Sequence, residues 1–161
     1  MTTGYGELGY VNRWLDSNAP NPCQLYTIYL SQNSTTMAEP LYILPTSRNP
    51  FVRLTISREL RLAAEKELLK YSSIINDETL YNQADEAFAA LETLLGKDQW
   101  FFGAETPGVF DASVFAYTHL LLEARLGKGW ADTRLRDALM ARRRLVTHRD
   151  RILAEYFAEE T

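Results

Sequence analysis

Apolar residues recur at helical spacing along most of this chain, and no stretch shows the strict alternation of a half-buried strand. Leu25, Ile28 and Tyr29 share one face of a helix predicted over Pro22–Gln32, with Pro22 suited to its first turn. The segment Ser31–Asn49 reads as a connection, broken by Pro40 and Pro45, with a Leu41–Leu44 island expected to pack down on the rest. Asn49-Pro50 is a helix start, N-cap then first-turn proline. From it a long helix runs to Lys70 or Tyr71, with Leu54, Arg58, Leu60, Leu62, Leu68 and Leu69 supplying its inward contacts. Asn76-Asp77 opens another, whose stripe of Leu80, Ala84, Ala87, Phe88, Leu91, Leu94 and Leu95 ends at Gly96. A short helix over Asp132–Met140 turns Leu135 and Leu139 inward, and a last one over Arg144–Phe157 places Leu145, Ile152, Leu153, Tyr156 and Phe157 on its apolar side.

The stretch Trp100–Glu123 differs from these. The aromatic lead-in Trp100-Phe101-Phe102-Gly103 and a turn at Thr106-Pro107-Gly108 precede a run that is apolar almost all the way round, from Val109 to Leu122. Such a helix belongs inside a bundle, and it is predicted to stop near Gly127. Trp100, Phe101, Phe102 and Tyr117 are expected in the core. The one early charge is Asp111, three residues after Gly108. That spacing is half of a capping box, in which the acid accepts from the N-cap backbone N–H. The carboxylate also lies at the positive end of the helix dipole. Read this way, Gly108 and Asp111 are structural, and Asp111→Ala costs about 1 kcal/mol, as for a lost cap. The pattern as a whole predicts an all-α, antiparallel helical bundle around one buried central helix. Residues 22–161 form the domain and residues 1–21 a preceding arm, in which Tyr5, Leu8, Tyr10, Val11, Trp14 and Leu15 fit either a short helix or an extended segment.

Composition narrows the function. At 161 residues and 46% hydrophobic, the chain has ample core for one domain and is not a disordered segment. Its single Cys23 excludes an internal disulfide and is expected as a buried small hydrophobe. No secretory signal is visible at the start, and no apolar run approaches the roughly 18 residues of a membrane span. The net charge of −4 is unevenly spread: residues 1–124 carry −7, residues 125–151 carry +6 and the last ten carry −3. The densest cluster, Arg142-Arg143-Arg144, is placed at a helix start, where the dipole disfavours cations. Two uses fit it, contact with anionic lipid headgroups or with an acidic partner, beside the plain reading of a solvated face. Nucleic acid fits poorly, because the remaining surface is acidic. His119 and His148 have no Cys or carboxylate at metal spacing, so no metal site is expected. No nucleophile elbow, phosphate loop or dinucleotide fingerprint is present, so neither a catalytic residue nor a cofactor is expected.

The order of elements resembles the all-helical C-terminal domain of the glutathione transferase fold, whose buried helix opens with a capping acid at the position of Asp111. Finer blocks resemble the metaxin family: residues 24–30, 39–68, 100–122 and 143–157. The family's Leu-Asp-Ala-x-Val-Phe helix start is matched by Phe110-Asp111-Ala112-Ser113-Val114-Phe115. Its closing motif is matched by Leu145, Val146, His148, Arg151, Ile152, Leu153, Tyr156 and Phe157. The resemblance implies a non-catalytic subunit of the sorting and assembly machinery of the mitochondrial outer membrane, which folds and inserts β-barrel proteins. It further implies a peripheral position on the cytosolic face. The implied partners are the β-barrel core subunit, a second metaxin-like subunit and β-barrel precursors. The thioredoxin-like half that precedes this domain in the family is not recognisable in the chain. No membrane anchor is expected after Phe157, and the peripheral metaxin type is the expectation. A glutathione-conjugating enzyme and a helical interaction module of a cytosolic complex are the competing readings.

Overall fold

The computed structural model describes residues 21–70, 72–123 and 129–157, and among these every regular element is helical. The described chain falls into two compact units. One comprises residues 21–70, 72–81 and 129–134, the other residues 82–123 and 135–157. Of the expected arm only Asn21 is described, and the expected helix end near Gly127 also lies outside the described residues.

In the first unit, α1 (Pro22–Leu25) is capped by Asn21, whose Oδ1 accepts the Gln24 N–H. It continues without a break as a π-helix, Tyr26–Leu30, closed by Ser31 N–H donating to Tyr26 C=O at 2.9 Å. A second π-helix, Ser34–Ile43, occupies most of the segment predicted as a connection. Pro40 sits inside it. The wider i→i+5 ladder, seen where Leu44 N–H donates to Glu39 C=O, carries the chain on past the proline. Of the Leu41–Leu44 island only Ile43 is buried; Leu41, Tyr42 and Leu44 are exposed. Then α2 (Pro50–Leu68) begins as predicted, with Asn49 Oδ1 accepting the Phe51 N–H at 2.9 Å. Its inward face follows the prediction only in part: Leu68 is buried as expected, together with Ala64, and Leu60 is half-buried, whereas Leu54, Arg58, Leu62 and Leu69 are exposed.

A polar pin closes this unit. Asn33, fully buried, accepts the Ala131 and Asp132 N–H groups at 2.7 and 2.8 Å and donates to the Asp132 C=O at 3.0 Å. Asp132 in turn accepts from the Tyr81 hydroxyl and from Arg134, which also reaches Asp77. The Arg134 guanidinium holds the Asp132 carboxyl below its usual range against the opposing effect of burial. Cys23 is buried beside Thr27, and burial pushes its thiol up to about 12.

Helix α3 (Asp77–Leu95) gives its first turn to the first unit and the rest to the second, and Gly96 ends it at φ +58°. Ala84, Ala87, Phe88, Leu91 and Leu95 form the buried stripe that the sequence predicts. A 3₁₀ turn, Phe101–Gly103, leads to α4 (Val109–Leu122), followed by α5 (Arg134–Met140) and α6 (Arg143–Tyr156). Leu135 and Leu139 of α5 are buried as expected. Although α4 is apolar all round, it buries only one face, Asp111, Val114, Thr118 and Leu121; Val109, Ala112 and Ala116 are exposed. On α6 the buried line is Leu145, His148 and Ile152, with Tyr156 and Phe157 exposed rather than inward.

Candidate functional site

The second unit is held together at the start of α4. Trp100 and Phe101 are buried, but Phe102 turns outward, against expectation, because the chain takes a left-handed conformation there (φ 64°, ψ 21°) and again at Gly103 (φ 65°). A non-glycine residue in that region is uncommon. The reversal directs the Phe101 N–H at Asp111. Phe102 lies on the Phe110 ring, edge to face at 5.0 Å.

Asp111 is buried to 2% exposure and accepts three hydrogen bonds. Oδ2 takes the Gly108 N–H at 2.9 Å; Oδ1 takes the Phe101 N–H at 3.1 Å and faces His148 Nε2 at 2.8 Å. Gly108 is extended (φ −102°, ψ −172°), and a Cβ there would meet Asp111 Oδ2 at an ordinary 3.8 Å, so its backbone does not require glycine. His148 is fully buried, with its ring edge to face against Phe101 at 5.2 Å and Trp100 at 5.8 Å. Arg151, one turn on, donates to the Gln99 C=O at 2.7 Å and lies over the Trp100 ring.

The protonation states follow from the partners. Burial pushes the Asp111 carboxyl up, but the Gly108 N–H, His148 and the Phe101 N–H outweigh it and hold the group below its ordinary range. Burial pushes the His148 imidazole down, against the pull of the Asp111 carboxylate. An ionised Asp111 therefore faces a neutral His148 that donates from Nε2. Nδ1 has no hydrogen-bond partner, and as a bare lone pair it costs less there than a buried, unpaired N–H of a charged ring would.

Carboxylate and imidazole at this distance are the parts of a general base. Here neither meets solvent, so the pair acts as a latch joining the aromatic lead-in, α4 and α6. Sequence reasoning placed Asp111 at the helix start but did not pair it with His148, which lies 37 residues on. The available signal was the position of His148 in the Leu145–Ile152 line, which puts an imidazole on the inward face of α6.

The arginine cluster divides. Arg142 is the N-cap residue of α6 without a side-chain cap, and its Nη2 pairs with Asp85 of α3 at 2.7 Å. The Arg144 backbone N–H donates to Glu92 Oε1, also of α3, at 3.1 Å. Two acids seven residues apart on α3 thus offset the positive end of α6, which resolves the conflict between arginines and dipole. The side chains of Arg143 and Arg144 are exposed. His119 sits at the rim, its Nδ1 accepting from Arg149 at 3.1 Å and its ring stacked on Phe115. Among the described residues no three His, Cys, Asp or Glu side chains converge as a metal site, and no helix is long and apolar enough to cross a membrane.

The family model described as "Glutathione S-transferase, C-terminal domain" matches residues 84–152, a span that contains the Asp111–His148 latch and the arginine cluster. Metaxin-1 of Macaca fascicularis is 40% identical over 60 residues, which are 37% of this chain and 19% of that protein. Metaxin-1 of Homo sapiens is 40% identical over 60 residues, covering 37% of this chain and 13% of its own length. Metaxin-1 of Bos taurus is 38% identical over 60 residues, 37% of this chain and 19% of that protein. The matched stretch thus spans less than a fifth of each of these relatives. The chain is thus similar to Metaxin-1 over 60 residues, and its all-helical described residues fit the all-α fold of the glutathione S-transferase C-terminal domain matched over residues 84–152.

Proposed function

We propose that this chain provides a non-catalytic helical domain of a metaxin-type subunit of the mitochondrial outer-membrane sorting and assembly machinery. In this reading it is peripheral on the cytosolic face and aids the folding and insertion of β-barrel proteins. It binds the β-barrel core subunit, a second metaxin-like subunit and β-barrel precursors. The observation that carries this is the 40% identity to Metaxin-1 of Macaca fascicularis over 60 residues. Burial of the Asp111–His148 pair supports the non-catalytic part, since a base that no substrate reaches cannot abstract its proton. Arg143 and Arg144, exposed on the first turn of α6, are the side chains in this reading that meet acidic partner groups or anionic headgroups.

Affinity capture of the chain from mitochondria, with the co-purifying chains identified, tests the proposal. Recovery of a β-barrel core subunit and a second metaxin-like chain is the expected result. Flotation with liposomes, with and without the reconstituted barrel subunit, is the complementary assay; absence of binding in both, together with an empty capture, would overturn the reading. The family-model match favours one alternative, a glutathione-conjugating enzyme. Robust glutathione transfer to a standard electrophile by the full-length protein would establish that instead.

A further inference from the structure

The face of α2 opposite its buried side is apolar and uncovered. Phe51 is 79% exposed, Leu54 69%, Leu62 45% and Leu69 50%. At about 100° per residue, Phe51, Leu62 and Leu69 lie within about 20° of one line, with Thr55 and Arg58 beside it. A shallow open groove lined by Leu62, Glu65, Lys66, Leu69 and Lys70 follows the same line. The spacing is that of one helix laid on another.

The charges along its edges identify the second helix. Glu59 and Lys66 lie on one edge, Arg61 and Glu65 on the other, where Arg61 Nε already meets Glu65 Oε1 at 3.2 Å within the chain. Two copies of α2 laid antiparallel, with the twofold axis at Leu62, bring Leu62 onto the partner's Leu62 and Thr55 level with the partner's Leu69, with Leu54 one residue off that level. In the same register Glu59 faces the partner's Lys66, and Arg61 faces the partner's Glu65, each pair occurring twice by symmetry. Parallel pairing sets like residues side by side at the same level and loses these matches. We propose that this chain self-associates through α2 as an antiparallel, isologous dimer centred on Leu62.

Sedimentation velocity of the full chain, from low micromolar to submillimolar concentration, tests this. The wild type is expected to shift reversibly from monomer to dimer. Leu62→Glu, at an exposed position, should leave the folded monomer's circular dichroism unchanged and abolish the dimer. Glu59→Lys places two pairs of like charges at the interface and should weaken association about tenfold or more, at up to roughly 1 kcal/mol per exposed pair. The exchange Glu59→Lys with Lys66→Glu should recover association to within a few-fold of the wild type, because in a twofold dimer both sides change together. A wild type that stays monomeric throughout, a dimer that survives Leu62→Glu, or a charge exchange that fails to recover association would each overturn the proposal.

Discussion

Removing the Asp111 carboxylate should cost far more than a helix cap. A lost cap is worth about 1 kcal/mol, the value the sequence alone supports. In the structure the same group satisfies the Phe101 N–H and His148 Nε2 inside the protein, as well as the half-buried Gly108 N–H. In Asp111→Ala the Gly108 N–H can turn to water, but the other two donors cannot. Each orphaned buried donor costs about 1–3 kcal/mol. His148 can move its proton to Nδ1, but that atom has no partner either. The expected total is about 3–5 kcal/mol, from two orphaned donors at about 1–3 kcal/mol each and the lost cap. It corresponds to a fall in melting temperature of about 8–15 °C for a chain of this size. Asp111→Asn tests the reasoning with shape conserved. Its single oxygen serves either Gly108 or the Phe101–His148 side, and its NH₂ then opposes an N–H, for a cost of about 2–3 kcal/mol. Urea unfolding followed by circular dichroism measures both variants, and a double-mutant cycle with His148→Leu isolates the pair. A loss of 1 kcal/mol or less in Asp111→Ala, or a coupling near zero, would reduce the group to a simple cap and refute the argument.

Three further outcomes follow from the same geometry. Burial holds His148 below its ordinary 6.5, so between its folded value and 6.5 only the unfolded chain takes the proton; stability should fall as pH drops below about 6.5, and Asp111, also depressed, should add to the loss at pH below about 4. Urea midpoints at pH 7 and pH 5 check this, and a His148→Leu variant with the same pH 7-to-5 difference as the wild type would contradict it. Gly103→Ala, at φ 65°, should destabilise by about 1 kcal/mol, whereas Gly108→Ser should change stability by only a few tenths and leave the thermal melt near the wild type. Arg142→Ala should lower the melting temperature by breaking the Asp85 pair, while Arg143→Glu with Arg144→Glu should leave the melt nearly unchanged and weaken capture of partner chains or liposomes; a melt that drops in the second variant but not in the first would reverse these roles.

What could be read from the sequence was what neighbouring residues decide. Asn49-Pro50, Gly96 and the Leu135–Leu139 spacing act within one turn, and each lies where the pattern places it. Helix α2 shows where that stops. Both of its faces carry leucines, and periodicity cannot say which one finds a neighbour; the buried one holds Ala64, small enough for close approach of another helix. Pro40 reads as a break because a proline removes an α-helical bond, but the wider π ladder continues past it. The end of α6 misled for a related reason: Phe157 keeps the helical apolar spacing but stacks on Phe115 at 5.4 Å while partly exposed. At the site, Gly108 and Asp111 are three residues apart and legible together. The link to His148 joins segments distant in the chain, and only the folded packing brings them into contact.

The start of α6 has one more implication. Its second residue finds a hydrogen-bond acceptor on Glu92, 52 positions earlier in the chain. A peptide covering only Arg143–Tyr156 would lack that acceptor and would fray at its leading turn in isolation. Native order at this end should therefore arise when α3 and α6 come together during folding, making them a single cooperative step rather than two independent ones.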